Sequence, residues 1–281
     1  MGTLRPSVEE LSLRLDEIDA VVSDLDGVVW RGRETLPGVP EFFSALRSRG
    51  LPVVFATNNS GKTPAEYVER LGGLGVPGVE ERDVVTSGVV TAAYLQEHYP
   101  VGAAVHVLGN PGLLALIAAA GFTVTRGDEP AVAVVVSVAR DLSFDKLALA
   151  ASAVGAGADF IGTNCDPTVP VPGGLLPGSG SVIAAVEVAS GRRARLLGKP
   201  EAAMFEHALK VLGSAPSRTL MIGDRLDTDI LGAQRASLRT ALVLTGSTTV
   251  AALAEGAVRP DLVCPDLNGL LAAVLSGRPT L

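Results

Sequence analysis

Basic clusters, cysteine and long apolar runs are what this sequence has least of. Lysine and arginine total 23 against 30 acids, a net charge of −7, and only Arg192, Arg193 and Arg195 approach a basic cluster. Nucleic-acid binding needs a basic stripe, so no nucleic-acid partner is expected. The two cysteines, Cys165 and Cys264, have neither the spacing of metal ligands nor that of a disulfide framework. No apolar run approaches the roughly 18 residues of a membrane span, so no membrane partner is expected. The N-terminus has no basic segment leading into an apolar core, as a secretion signal would. Ser7-Val8-Glu9-Glu10 reads instead as a capping box opening a short helix. A reducing cytoplasm is the expected compartment.

What is present is a globular composition, 47% hydrophobic and 19% charged over 281 residues, enough for a large core in one or two domains. Short Val/Leu/Ile-rich strands alternate with Ala/Leu-rich amphipathic helices. That pattern predicts an α/β fold, a Rossmann-like, doubly wound parallel sheet. Core strands are read near 19–23, 51–57, 84–86, 194–197, 219–223 and 240–244. The stretch from about 100 to 192 reads as an inserted α/β unit, leaving 1–99 and 193–281 as the core.

Four strings carry the chemistry. In Ala20-Val21-Val22-Ser23-Asp24-Leu25-Asp26-Gly27 an apolar strand ends in two acids. Carboxylates crowded at the carboxyl end of a parallel strand repel one another unless a cation or a shared proton intervenes, which suits a hard metal such as Mg²⁺. Alone, the string is equally that of a turn or a weak calcium loop. Val53-Val54-Phe55-Ala56-Thr57-Asn58-Asn59-Ser60 ends a second strand in small polar residues, and Thr63-Pro64-Ala65-Glu66 opens a helix behind it. Such a turn either presents N–H groups and hydroxyls to an oxyanion or is an ordinary capped turn. In Leu196-Leu197-Gly198-Lys199-Pro200 a lysine is held past an apolar strand, placed to neutralise a phosphate or a carboxylate. Leu220-Met221-Ile222-Gly223-Asp224-Arg225-Leu226-Asp227-Thr228-Asp229-Ile230 puts a further acid at a strand tip, followed by two that an acidic first helical turn would also explain.

Taken in this order, the strings resemble the haloacid dehalogenase superfamily of phosphatases, and within it the NagD-like or p-nitrophenyl-phosphatase-like branch. Leu36-Pro37-Gly38 adds to the match, which runs from about residue 19 to about 246. The resemblance implies an α/β cap inserted between the second and third motifs. It also implies Mg²⁺-dependent hydrolysis of a phosphate monoester through an aspartyl-phosphate. Asp24 is then the nucleophile and Asp26 the general acid and base. Mg²⁺ is held by the Asp24 carboxylate, the Asp26 backbone carbonyl and Asp224. Thr57, the Asn58 backbone and Lys199 hold the phosphoryl oxygens, Asn59 and Ser60 lie toward the substrate, and Asp229 orients Lys199 or metal-bound water.

The proline- and glycine-rich stretch 163–178 reads as a stiff irregular loop. By resemblance it closes over the site and selects the substrate, with Thr168, Val169 and Pro170 at its centre. Pyridoxal-phosphate-specific relatives carry a histidine near Val169, which disfavours that substrate here. A small phosphorylated metabolite is the expected partner, glycerol phosphate or phosphoglycolate first. Sugar phosphates, nucleoside monophosphates, a phosphomutase reaction and a non-catalytic sensor are the alternatives. Oligomeric state stays open, a homodimer through the cap being one arrangement. Trp30 reads as packing near the cap hinge.

Overall fold

The computed structural model describes residues 17–276 except 77, 126, 128 and 172. The capping box expected at residues 7–10 lies outside them. Two parallel sheets organise the chain. The first has the order β15-β14-β13-β1-β4-β5, formed by Leu262–Cys264, Arg239–Val243, Thr219–Gly223, Ala20–Ser23, Val53–Thr57 and Val84–Thr86. The second has the order β12-β9-β8-β6-β7, formed by Arg195–Leu196, Asp159–Gly162, Ala133–Val136, Ala104–Leu108 and Thr123–Thr125. Two antiparallel ribbons complete the strands: β2 (Trp30–Arg31) with β3 (Glu34–Thr35), and β10 (Thr168–Val171) with β11 (Gly174–Pro177).

Strand alternation builds the layers. Val21, Phe55, Leu220 and Ile222 of the first sheet pack with α1 (Val39–Ser48), α2 (Pro64–Gly73) and α10 (Leu267–Ser276). Val22, Val54, Ala56 and Met221 point the other way, toward α3 (Ser87–His98), α4 (Pro111–Ala119), α7 (Ala202–Leu212) and α8 (Leu231–Arg235). That second apolar cluster continues into Val105, Val107, Ala133 and Val135 of the second sheet. The far face of the second sheet is covered by α5 (Phe144–Gly155) and α6 (Ser179–Ser190). The last helix to be placed, α9, spans Val250–Glu255. No described helix is long and apolar enough to cross a membrane.

The first sheet is wound both ways from its middle. The chain runs β1-β4-β5 in one direction and β13-β14-β15 in the other, so the order reverses between β1 and β13. In open parallel sheets that crevice is where ligands bind. Ser23 pairs with Ile222 in register, which sets Asp24 beside Gly223 and one step from Asp224.

The structure differs from the sequence reading in two places. Arg195–Leu196 pairs with Ile161 and Gly162, so this strand extends the second sheet, and the chain returns to the first only through Leu197, Gly198 and Lys199. A two-residue strand, Arg-Leu here, carries no pattern that distinguishes one sheet from the other; long-range pairing decides. The stretch 163–178 is not irregular throughout. Thr168 pairs with Pro177, Val169 with Leu176, Pro170 with Leu175 and Val171 with Gly174. A two-stranded ribbon tolerates proline because each strand keeps an unpaired edge.

Candidate active site

Asp24 leaves β1 with its N–H bonded to Ile222 O at 2.8 Å, which fixes it over the crevice. Asp224 leaves β13 beside it. Two glycines make room: a Cβ on Gly27, whose φ is +89°, would lie 2.5 Å from Asp224 Cγ, and one on Gly246 would lie 1.9 Å from Asp224 Oδ2. Gly246 belongs to the turn after β14, where the Ser247 N–H donates to Asp224 Oδ2 at 2.5 Å and the Thr245 hydroxyl donates to Gly27 O at 2.6 Å. Sequence reasoning missed this turn. Its only signal is a polar tetrapeptide at the end of a strand in the same sheet.

Asp24, Asp224 and Asp229 each offer an oxygen within 4.8 Å of the other two. Lys199 Nζ lies 2.5 Å from Asp24 Oδ1, 2.7 Å from Asp229 Oδ1 and 3.0 Å from Ala56 O. Asp24, Asp224, Asp229 and Lys199 are 7%, 2%, 1% and 3% exposed, so three carboxylates face one ammonium with almost no water. Burial pushes the Asp24 carboxyl well above the usual range; Lys199 opposes this, and Asp229 and Asp224 reinforce it. Burial and the Asp229 charge push Asp224 up to about 6 against the Ser247 donors. Burial alone would lower Lys199, but Asp229 and Asp24 more than reverse it and hold the ammonium charged. The other Asp229 oxygen accepts the Asp224 and Arg225 N–H groups at 3.1 Å. Both oxygens of Asp229 are thereby engaged, leaving Asp24 and Asp224 better placed to ligate a cation. An oxygen-only, acid-rich, buried cluster fits a hard divalent cation.

This gives a signed pH dependence. Asp224 titrates near 6 in the folded chain against 3.8 for an ordinary carboxyl, so the folded state holds the extra proton between those values. With divalent cations chelated, its contribution to stability is most favourable below about pH 4 and is lost as pH rises through about 6. Asp224→Asn does not titrate. Its stability relative to wild type in chelator should rise by on the order of 1 kcal/mol between about pH 5 and pH 7. A difference in unfolding free energy that stays constant with pH contradicts this.

The turn after β4 divides its residues between the site and the second sheet's side. Thr57 Oγ1 accepts the Asn59 N–H at 3.2 Å, and Asn59 Oδ1 accepts the Gly61 N–H at 2.8 Å. Asn58 is the hub, its Nδ2 donating to Lys199 O and to Asp166 Oδ2, both at 3.0 Å. Ser60, expected toward the substrate, is buried with its hydroxyl 2.6 Å from Ser137 Oγ, next to Thr163, Asn164 and Ser179. That bond is the better use of a hydroxyl with no access to water.

Asp26 is exposed, and its side chain is outside the acidic cluster; Trp30 Nε1 donates to its Oδ1 at 2.9 Å. Asp166 and Arg225 were also missed. Arg225 donates to Asp166 at 2.9 Å and to both oxygens of Asp227 at 3.1 and 2.8 Å. Asp227, read as an acidic helix start, is thus a partner of Arg225. Asp166 precedes β10, so the ribbon bearing Thr168, Val169 and Pro170 is tied at its base to Asn58 and Arg225.

Residues 21–123 match the family profile described as haloacid dehalogenase-like hydrolase, and residues 196–270 a second one, HAD-hydrolase-like. An acid sugar phosphatase of Staphylococcus aureus is 36% identical over 258 residues, covering 92% of this chain and 98% of the relative. A 4-nitrophenylphosphatase from Thermotoga maritima superposes with a TM-score of 0.86 at 33% identity, over 92% of this chain and 98% of its own. A glycerol phosphate phosphatase from Mycobacterium tuberculosis, in complex with magnesium, gives 0.82 at 37% identity, over 90% of this chain and 76% of its own.

Proposed function

The chain belongs to the haloacid dehalogenase-like hydrolases, as a phosphatase of their NagD-like and 4-nitrophenylphosphatase-like branch, and on that footing we propose that it hydrolyses the phosphate monoester of a small polyol or sugar. The observation that carries the reading is the cluster itself: a buried carboxylate at the switch point, paired with a buried lysine and flanked by two further acids. The polyol or sugar rests on the relatives, one an acid sugar phosphatase and another a glycerol phosphate phosphatase.

In this mechanism Asp24 attacks phosphorus, forming an acyl phosphate as the bond to the leaving oxygen breaks. Asp26 gives the leaving alkoxide its proton, then takes one from the water that attacks the acyl phosphate. Inorganic phosphate departs and both acids are restored. Lys199, the Thr57 hydroxyl and the Asn58 N–H hold the phosphoryl oxygens, and Asp229 keeps Lys199 aimed and charged. Mg²⁺, held by the Asp24 and Asp224 carboxylates and the Asp26 carbonyl, would supply neutralisation of phosphoryl charge. The β10–β11 ribbon, with Thr168, Val169 and Pro170, would contact the rest of the substrate and select it.

A phosphate-release panel tests the substrate class. Glycerol phosphates, hexose and pentose phosphates, phosphoglycolate and nucleoside monophosphates are compared with Mg²⁺ present. The highest kcat/KM should fall on a polyol or sugar phosphate; a nucleotide ranking first by tenfold contradicts it. Asp26→Asn should cost roughly 10²- to 10⁴-fold with an alkyl phosphate. It should cost less with 4-nitrophenyl phosphate, whose leaving group needs little protonation. Equal losses on both count against Asp26 as the acid.

A further inference from the structure

Trp30 has no place in the mechanism above, yet it touches Asp26. Its side chain is fully buried while Asp26 is exposed, and its indole N–H donates to Asp26 Oδ1 at 2.9 Å. The loop after β1 is built to bring them together. The Val29 and Trp30 N–H groups return to Leu25 O at 2.8 and 3.2 Å, and the Gly27 N–H returns to Trp30 O at 2.7 Å. Asp26 and Trp30 thereby form an isolated bridge. The indole is itself held. Tyr67 stacks parallel to it at 6.2 Å between centroids, and the Arg70 guanidinium lies 3.7 Å from its ring. Arg70 is anchored in turn on Gly32 O.

We propose that Trp30 is a positioning residue for Asp26, and that its indole fixes which carboxyl oxygen exchanges protons. Indole is a donor only, so the oxygen it contacts must present a lone pair. Oδ1 is therefore committed as acceptor, and Oδ2 is the oxygen that hands the proton to the leaving group and receives it from water. An exposed aspartate on a loop would otherwise sample several rotamers. A rigid buried donor holds it in one, which is how orientation contributes to rate. This inference rests on the reading of Asp26 as acid and base.

Trp30→Phe keeps an aromatic ring against Tyr67 and Arg70 and removes the donor, along with part of the indole's volume. It should lower kcat roughly 10- to 100-fold with glycerol phosphate, but only a few-fold with 4-nitrophenyl phosphate, with KM changed less than about threefold. In an Asp26→Asn background it should add no more than about twofold, since both changes disable one function. Equal losses on the two substrates, or full additivity with Asp26→Asn, overturn the proposal and leave Trp30 as packing. If Asp26→Asn alone loses nothing on either substrate, the assignment of Asp26 has failed, and Trp30 has nothing to position. A second measurement stands whether or not Trp30→Phe folds. The chain has one tryptophan, so its amide correlation spectrum contains one indole signal. That signal should shift in Asp26→Ala, an exposed truncation, and an unmoved signal overturns the bond.

Discussion

Asp24→Asn should abolish phosphate release, by on the order of 10⁴-fold or more, with glycerol phosphate and 4-nitrophenyl phosphate alike. The amide has the carboxylate's shape but is a poor nucleophile, and loss of a covalent nucleophile is among the costliest single changes in an active site. The substrate-independence separates this variant from Asp26→Asn and Trp30→Phe, whose losses follow the leaving group. The fold should survive. Burial and the charges of Asp229 and Asp224 oppose ionisation at position 24. A neutral amide there relieves part of that repulsion while giving up the Lys199 ion pair. The melting temperature in chelator is therefore expected to hold or rise. Near-normal turnover removes Asp24 from the nucleophile's role.

Chelation of divalent cations should have an effect of similar size. Three buried carboxylates against one lysine leave the site negative where a dianionic phosphate must approach. Mg²⁺ should restore turnover and raise the melting temperature. At about 100 times the dissociation constant the stabilisation is roughly 2.7 kcal/mol. Ca²⁺ should raise the melting temperature without restoring turnover, because it prefers more ligands at longer distances. Full activity in chelator removes the metal from the mechanism.

Some of this site was legible from the chain alone. Asp24 and Asp224 each follow an apolar strand, and in a parallel sheet all such ends share one edge. Lys199 stood out because a glycine and a proline hold it past an apolar stretch. The strings did not show how the charges divide. Asp229 lies five residues from Asp224 and bonds both to the Asp224 N–H and to Lys199, a geometry set by the wide π-helical turn at Leu226–Ile230. Contacts between the two sheets' loops were invisible for another reason. Asp166 meets Arg225 and Asn58 across 59 and 108 residues, and nothing local distinguishes it from any other turn aspartate. Trp30 was expected to pack, and it is buried in the core beneath the first sheet; that its one polar side-chain atom also reaches Asp26 follows only from the backbone's return to Leu25.

Acid quenching decides whether the chain passes through a covalent acyl phosphate. Enzyme in excess is mixed with glycerol phosphate and Mg²⁺ and quenched through a single turnover. Peptides are then mapped by mass spectrometry. One phosphoryl group should appear on the peptide containing Asp24, rise ahead of free phosphate and decay as free phosphate forms, and localise to the Asp24 side chain. It should be absent from Asp24→Asn. Phosphate released through the whole turnover with no acyl phosphate on the chain, or a phosphoryl group trapped on another side chain, contradicts the account.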